Sequence, residues 1–206
     1  MDLKKEFFKY LNQVSKANLD QEQLFEQYYN LLLDENKKIN LFSRKMKDDE
    51  VWTVHFMDSI SIAQIYPDIS NETILDFGSG GGLPGIPINI LFPDNRLVFL
   101  DSILKKTNSI KYFCKKLDLY EAKIVCSRLE DLDSVWYGKF DRILCRSVKI
   151  LPQYKSILAK LLKANGVINL YKAKQIDDVK MFKNYQTYDV SNEILGERKI
   201  IEIKNG

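Results

Sequence analysis

The stretch from Thr73 to Gly85, TILDFGSGGGLPG, contains the clearest fold signal of the chain. A short apolar run with one acid, Asp76, leads into a turn in which five of the eight residues from Gly78 to Gly85 are glycine. The apolar pattern resumes at Ile86, so the order predicts a β-strand, a glycine-rich turn and the start of a helix. Glycines let a ligand approach the backbone closely, and the first N–H groups of a helix are free to bind an acceptor. We therefore predict a nucleotide-type cofactor site at this turn.

Two cofactor classes compete for the turn. Gly80, Gly82 and Gly85 satisfy the dinucleotide fingerprint G-x-G-x-x-G. The wider pattern D-x-G-x-G-x-G, with Asp76 two residues before Gly78, resembles the first motif of class I methyltransferases that use S-adenosylmethionine (AdoMet). An acid at the entrance of the turn suits the cationic AdoMet and would repel a pyrophosphate. We expect AdoMet as the cofactor; the alternatives are an NAD-dependent oxidoreductase and a non-enzymatic RNA-binding module whose glycine turn is only structural.

Composition limits the class of protein further. The 206 residues, 45% of them hydrophobic, are enough for one large domain. No apolar run approaches the ~20 residues of a membrane span and the start of the chain lacks a signal-peptide core, so we expect a cytoplasmic protein without membrane contact. The three cysteines form no C-x-x-C pair, and neither a disulfide nor a metal site is predicted. Residues 1–70 carry 9 basic and 12 acidic residues, whereas residues 71–206 carry 22 and 16, a basic excess that fits a polyanionic partner.

The N-terminal third has only helix signals. Apolar residues recur at helical spacing in three windows, 3–14, 24–32 and 52–63, and Asp20 is the predicted N-cap of the second helix. A loop is predicted between the second and third helices. Its basic residues could contact phosphates, together with Lys172 and Lys174, although a solvated loop explains them equally well. They are Lys37, Lys38, Arg44, Lys45 and Lys47.

From residue 71 onward, strand patterns alternate with helical ones. The strand patterns are 73–77, 96–101, 122–126, 140–144, 167–171, 185–190 and 199–203. The alternation predicts a doubly wound parallel sheet, and by resemblance to class I methyltransferases the last two strands form a hairpin at its edge. We therefore predict an α/β fold of the class I (Rossmann-like) type with a mostly parallel seven-stranded sheet in residues 71–206. Residues 1–70 are predicted to be a helical extension packed on this domain.

The ends of the predicted strands carry the candidate site residues, because ligands of doubly wound sheets lie at the carboxyl ends of the strands. Asp101 is placed to accept hydrogen bonds from ribose hydroxyls, with an N-cap as the alternative. Leu129, beside Glu130, is expected to cover an adenine ring. Arg146 is expected to project toward the transferred methyl group, with a structural salt bridge as the alternative. His55 is expected on a helix face, where a surface hydrogen bond competes with a contact to RNA or cofactor.

Seven motifs spread over the chain point to one family. They are INLFS, EVWTVHFMDS, LDFGSGGGLPGIP, LDSILKK, CSRLED, CRSV and GERK. Together they resemble the glucose-inhibited division protein B family, bacterial methyltransferases that modify guanine N7 in the RNA of the small ribosomal subunit. The resemblance implies AdoMet contacts at Gly78, Leu83, Leu129, Glu130 and Arg146, and the glycine turn adds Gly80. It also implies 16S ribosomal RNA or the small subunit as partner; we expect a monomer without a stable protein partner.

The missing catalytic motifs agree with that reaction. Asn-Pro-Pro-Tyr, expected for methylation of exocyclic amines, is absent after the fourth strand, and no Pro-Cys pair offers a nucleophile for pyrimidine C5. Guanine N7 has an in-plane lone pair and no proton, so its methylation needs neither a general base nor a covalent intermediate. We therefore predict catalysis by positioning, with Arg146 as the catalytic residue.

Overall fold

Seven strands form one sheet in the computed structural model, which describes residues 1–205. The strands are β1 (Thr73–Phe77), β2 (Arg96–Asp101), β3 (Lys123–Cys126), β4 (Phe140–Arg146), β5 (Leu162–Lys172), β6 (Tyr185–Asp189) and β7 (Lys199–Lys204). Their order is β3-β2-β1-β4-β5-β7-β6, and β7 alone runs antiparallel to its two neighbours. The predicted fold class, including the edge hairpin, is confirmed. The strand order reverses between β1 and β4, which is where such sheets bind their ligands.

Helices cover both faces of the sheet. Within residues 1–205 the α-helices are α1 (Leu3–Val14), α2 (Leu19–Lys38), α3 (Asp58–Ile60), α4 (Gly85–Leu91), α5 (Leu104–Lys116) and α6 (Tyr154–Leu161). A π-helical segment, Val51–Met57, runs directly into α3 and a 3₁₀ turn, Ser61–Gln64. The predicted third helix is therefore present but wider than an α-helix in its first half. Within the described range no helix is both long and apolar enough to cross a bilayer.

The second helix begins earlier than the sequence predicts. Asn18, not Asp20, is its N-cap: the Asn18 side chain accepts the N–H of Gln21 at 2.9 Å, and Gln21 Oε1 accepts the N–H of Asn18 at 3.0 Å. This reciprocal pair satisfies two N–H groups that a helix start leaves free. The Gln21 Nε2 group also donates to the carbonyls of Ile90 and Leu91 at 2.8 and 3.0 Å, so the start of α2 caps the end of α4.

Two hydrophobic clusters fill the space on the two faces of the sheet. The N-terminal helices share one cluster with α4, α5 and one sheet face, and its aromatic centre includes Phe7, Phe25 and Phe56. The other cluster lies under α6. Because the N-terminal helices and the sheet share a cluster, they pack as a unit, and a domain boundary at residue 70 stays a prediction. The Tyr28 hydroxyl extends this contact to the glycine turn by donating to the carbonyl of Gly81 at 2.6 Å.

Candidate active site

The glycine turn after β1 depends on backbone conformations that favour glycine. Gly78, Gly80 and Gly82 have φ angles of +75°, +55° and +88°. At Gly78 the surroundings add a second requirement, because a Cβ there would lie 2.3 Å from Cγ2 of Val148. The N–H of Gly78 donates to the carbonyl of Leu100 at 2.8 Å, which ties the turn to the end of β2. The sequence therefore folds the turn tightly against the neighbouring strand ends.

Asp76, in β1, holds the end of this turn by a hydrogen bond. The residue is fully buried, its Oδ2 accepts the N–H of Gly85 at 3.0 Å, and burial raises the pKa of its carboxyl to about 7. Its Oδ1 accepts no hydrogen bond from any residue in the range 1–205. The carboxyl that we expected at the entrance of the turn thus contacts the first turn of α4, where an acid stabilises the free N–H groups.

Asp101 joins the glycine turn to the start of α5. Its Oδ2 accepts the N–H of Gly80 and its Oδ1 accepts the N–H of Ile103, both at 2.9 Å. The residue is 8% exposed and lies on the wall of a cavity. Both alternatives considered from the sequence are therefore compatible with its position: it caps the start of the next helix, and it borders a space that can hold a ligand.

That first cavity encloses about 470 Å³ at the carboxyl ends of β1, β2 and β3, a size typical of small-molecule sites. Its wall includes four of the predicted cofactor residues, Gly78, Asp101, Leu129 and Glu130. The other three predicted residues take different places: Arg146 lies on the wall of a second cavity, described below, and Gly80 and Leu83 lie in or beside the glycine turn. Gly80 binds Asp101 through its N–H, and Leu83 is 6% exposed in the cluster shared with the N-terminal helices.

A second cavity of about 530 Å³ lies beside the first, at the carboxyl ends of β4 and β5. Both cavities are bordered by Ser147 and Val148, which directly follow β4. Ser147 holds a left-handed conformation with φ of +59°, uncommon for a residue other than glycine. These two residues therefore form the partition between two adjoining spaces, each large enough for a ligand.

Arg146 lies on the wall of the second cavity and is bound to the N-terminal helices. Its Nη1 donates to Asp58 Oδ2 at 3.0 Å and to the carbonyl of Val54 at 3.1 Å, and its Nη2 lies 3.0 Å from His55 Nδ1. The side chain is 10% exposed. The structure thus includes the salt bridge considered as the alternative, and it also places Arg146 next to the partition at Ser147.

His55 is held as a neutral side chain by this contact. Arg146 can only donate, so Nδ1 of His55 accepts and the ring proton lies on Nε2. Burial, and then the charge of Arg146, lower the pKa of His55 to about 3. The Phe42 ring packs against the imidazole with 5.1 Å between centroids. The histidine therefore lies in the wall of the second cavity rather than on an open helix surface.

The predicted basic loop is shorter than expected, because Lys37 and Lys38 belong to the last turn of α2. Both are ion-paired there, with Asp34 at 2.9 Å and with Glu35 at 3.0 Å. Lys172, which we grouped with the loop, forms an ion pair with Asp178 inside the second cavity. Lys37 and Lys38 are exposed although paired, and within residues 1–205 the exposed members that form no ion pair are Arg44, Lys45, Lys47 and Lys174.

The remaining loop lies close to both parts of the site. A Cβ on Gly81 in the glycine turn would lie 3.5 Å from Leu41 Cβ, and Phe42 contacts His55. The side chain of Asn36 accepts the N–H groups of Leu41 and Phe42 at 2.9 and 3.1 Å, which fixes the first residues of the loop.

The sequence reasoning missed two residues of the second cavity that connect to Arg146, Asp58 directly and Arg198 through Asp58. Asp58 bonds Arg146 with one oxygen and Arg198 Nε with the other, at 3.1 Å. Asp58 stood in the same predicted helix as His55, and Arg198 stood in the late GERK motif, but no local spacing connects residues 58, 146 and 198. Only the fold brings them together.

Solved structures of methyltransferases share this fold. A SAM dependent methyltransferase from Aquifex aeolicus superimposes with a TM-score of 0.62 at 11% identity, over 84% of this chain and 99% of that chain. Magnesium protoporphyrin IX methyltransferase from Synechocystis PCC 6803, solved with bound SAM, gives a TM-score of 0.59 at 16% identity, over 92% and 99%. The fold is that of the class I methyltransferases.

The family follows from sequence comparison. The family model GidB, described as rRNA small subunit methyltransferase G, matches residues 21–195. Ribosomal RNA small subunit methyltransferase G of Mycoplasma capricolum is 35% identical over 158 residues, covering 76% of this chain and 67% of that protein. The protein of the same name from Flavobacterium psychrophilum is 31% identical over 190 residues, covering 87% and 88%. The chain belongs to this family, which rules against the alternative of an NAD-dependent oxidoreductase.

Proposed function

We propose that this chain is an AdoMet-dependent methyltransferase that methylates N7 of a specific guanine in 16S ribosomal RNA. The observation that carries the proposal is the pair of adjoining cavities that meet at Ser147 and Val148. The first cavity is the cofactor side and the second is the substrate side. The resemblance of the seven motifs supplies the target base, and the family match supports RNA of the small ribosomal subunit as the substrate.

The residues of the first cavity fit AdoMet. Asp101 offers a carboxylate beside the cavity, Leu129 offers an apolar surface for an adenine ring, and the turn at Gly78 allows close approach of a ligand to the backbone. When bound, AdoMet supplies an electrophilic methyl group on its sulfonium. In this proposal Gly78, Asp101, Leu129 and Glu130 are direct contacts, whereas Gly80 and Leu83 act through the shape of the turn.

The second cavity is suited to positioning rather than to proton transfer. All three of its acids, Asp58, Asp177 and Asp178, form ion pairs, and the Nδ1 atom of His55 is occupied by Arg146. Burial also raises the pKa of the neighbouring Cys145 thiol far above neutral pH. Guanine N7 needs no group to remove a proton, so a site whose acids are all paired already is adequate for this reaction.

The RNA side of the proposal rests on the loop after α2 and on Lys174. Residues 44–47 carry exposed positive charge beside the glycine turn and the second cavity. Such charge favours a phosphate backbone. Action as a monomer in the cytoplasm is part of the same proposal, and sedimentation of the purified protein with and without RNA measures the oligomeric state.

A transfer assay with labelled AdoMet tests the function. Small-subunit ribosomal RNA, free and assembled, is incubated with the protein, and the label is expected in 7-methylguanine at one position. The corresponding nucleotide in cells that lack the protein should be unmodified. Label in a pyrimidine or an exocyclic amine, or no transfer to either form of the RNA, would overturn the proposal.

An Asp101→Ala variant tests whether the first cavity binds AdoMet. Loss of a charged acceptor next to the cavity should weaken AdoMet binding by roughly 1.5–3 kcal/mol, about ten- to a hundredfold. Calorimetric titration measures the affinity, and thermal unfolding shows whether the variant is folded. An unchanged affinity would remove Asp101 from the site.

A further inference from the structure

Asp58 connects two arginines that come from different parts of the sheet. Its Oδ2 accepts Nη1 of Arg146, the last residue of β4, at 3.0 Å. Its Oδ1 accepts Nε of Arg198, the residue before β7, at 3.1 Å. All three residues line the second cavity. One carboxylate from the N-terminal helices thus sets the distance between two guanidinium groups at the candidate substrate site.

The arrangement restricts both arginines. Asp58 is 8% exposed, and the Arg146 side chain, 10% exposed, is held by two further contacts, to the Val54 carbonyl and to His55. The Arg198 side chain is 28% exposed, and its Nη1 donates to the carbonyl of Glu197 at 2.8 Å. A buried carboxylate shared by two guanidinium groups is costly to break, because removing it leaves positive charges without a partner.

We propose that Asp58 is a positioning residue for the RNA substrate: it orients Arg146 and Arg198 so that together they bind the RNA at the second cavity. The inference rests on the proposed function and names a part of its substrate site. Two arginines and one aspartate leave a net positive charge, and a guanidinium fixed in place loses less conformational entropy when it binds phosphate or a base edge. In this reading the N-terminal helices complete the substrate site rather than only packing on the sheet.

A simple charge argument predicts the opposite effect for the same residue. Asp58 is negative and lies beside the proposed RNA site, so removing its charge should tighten RNA binding through the long-range field. A positioning role predicts weaker binding, because the two guanidinium groups lose their fixed geometry. The sign of the change therefore separates the two explanations.

The test uses three variants of the full chain. Asp58→Asn removes the charge and keeps the size. Glu72→Gln is the matched control, since Glu72 also pairs with a buried arginine, Arg142, at 2.7 Å, but does so at the start of β1, at the opposite end of the strands. Arg198→Lys keeps the charge and loses the forked donor. Steady-state methylation gives KM for RNA and kcat, calorimetry gives the AdoMet affinity, and thermal unfolding gives stability.

We expect Asp58→Asn to raise KM for RNA about ten- to a hundredfold, with AdoMet affinity within about twofold of the wild type. Arg198→Lys should raise KM in the same direction, whereas Glu72→Gln should lower only the unfolding temperature. A KM for RNA in Asp58→Asn that is equal to or lower than that of the wild type would overturn the inference. Should Asp58→Asn not fold, a wild-type KM in Arg198→Lys overturns it instead. A wild-type protein that does not methylate RNA at all would refute the proposed function, and that outcome is visible without any variant.

Discussion

Gly78 and Gly138 share a backbone conformation but not their surroundings. Their φ angles are +75° and +64°; a Cβ on Gly78 would meet Val148 Cγ2 at 2.3 Å, whereas a Cβ on Gly138 meets nothing within 4 Å. Alanine at either position should cost about 1–2 kcal/mol of stability through the left-handed backbone. Only Gly78→Ala should also weaken AdoMet binding, by about tenfold or more, because Val148 is pushed from its place between the cavities.

Calorimetric titration of both alanine variants with AdoMet measures this difference, and thermal unfolding measures the shared cost. Gly138→Ala is the control for backbone strain. Equal AdoMet affinities in the two variants would show that the contact with Val148 has no part in cofactor binding.

At single residues, the sequence located several side chains of the first cavity, among them Asp101 and Leu129, but it did not predict what they contact. It also missed Asp58 and Arg198 in the second cavity. Asp76 was recognised as an acid at the entrance of the glycine turn, and Asp101 as an acid at the end of the second strand. Asp76 points to the N–H of Gly85, and Asp101 points to the N–H of Gly80, because the path of the turn decides which amide each carboxyl meets. That path follows from positive φ angles, which glycine permits but does not specify.

Among the elements, the strands were the easiest to predict. Parallel strands buried on both faces are short, nearly continuous apolar runs, as in β2, so their pattern was plain. The helical segment from Val51 to Met57 was assigned an α-helical period, but its backbone widens to a π-helix there. Asp58, which holds the two arginines, follows directly. Such widening is frequent at functional sites and leaves no mark in the spacing of apolar residues.

The end of α2 and the loop after it contain two pairs of lysines whose contributions to RNA binding can be compared. All four lysines are exposed, but Lys37 and Lys38 form ion pairs with Asp34 and Glu35, whereas Lys45 and Lys47 form none within residues 1–205. Replacing Lys45 and Lys47 by alanine should reduce the slope of log K against log salt by about 1 for each phosphate that the protein no longer neutralises. Replacing Lys37 and Lys38 should reduce it less, because neighbouring acids already balance their charge.

Filter binding or fluorescence anisotropy at several salt concentrations gives these slopes, with AdoMet affinity as a check that the cofactor side is intact. If both double variants keep the wild-type slope, the loop charges are solvated and the proposed role of the loop in RNA binding is wrong.

Over the whole molecule, two buried groups give opposite pH dependences of stability. The pKa of Asp76 is raised from 3.8 to about 7, so between those values the folded state holds a proton that the unfolded state has lost, and stability falls as pH rises. The pKa of His55 is lowered from 6.5 to about 3, so between those values the unfolded state holds the extra proton, and stability rises with pH. The two effects oppose each other between about pH 4 and 6.5.

Single variants should separate the two effects. In Asp76→Asn only the effect of His55 remains, so stability should rise with pH between about 4.5 and 6.5 more steeply than in the wild type. In His55→Gln only the effect of Asp76 remains, so stability should fall as pH rises over the same range. Each group contributes a slope of up to roughly 1.4 kcal/mol per pH unit. Urea unfolding at three pH values measures the slopes, and identical slopes in all three proteins would mean that neither group is held in its shifted state.

The hydrogen bond from Tyr28 to the carbonyl of Gly81 couples helix α2 to the order of the glycine turn. A ligand that orders the turn should reduce local opening of α2, although no residue of α2 lines either cavity. Hydrogen–deuterium exchange should therefore slow across the middle of α2 when AdoMet is added. Tyr28→Phe keeps the buried ring and removes the donor, so in this variant protection of the turn should persist while protection of α2 is lost.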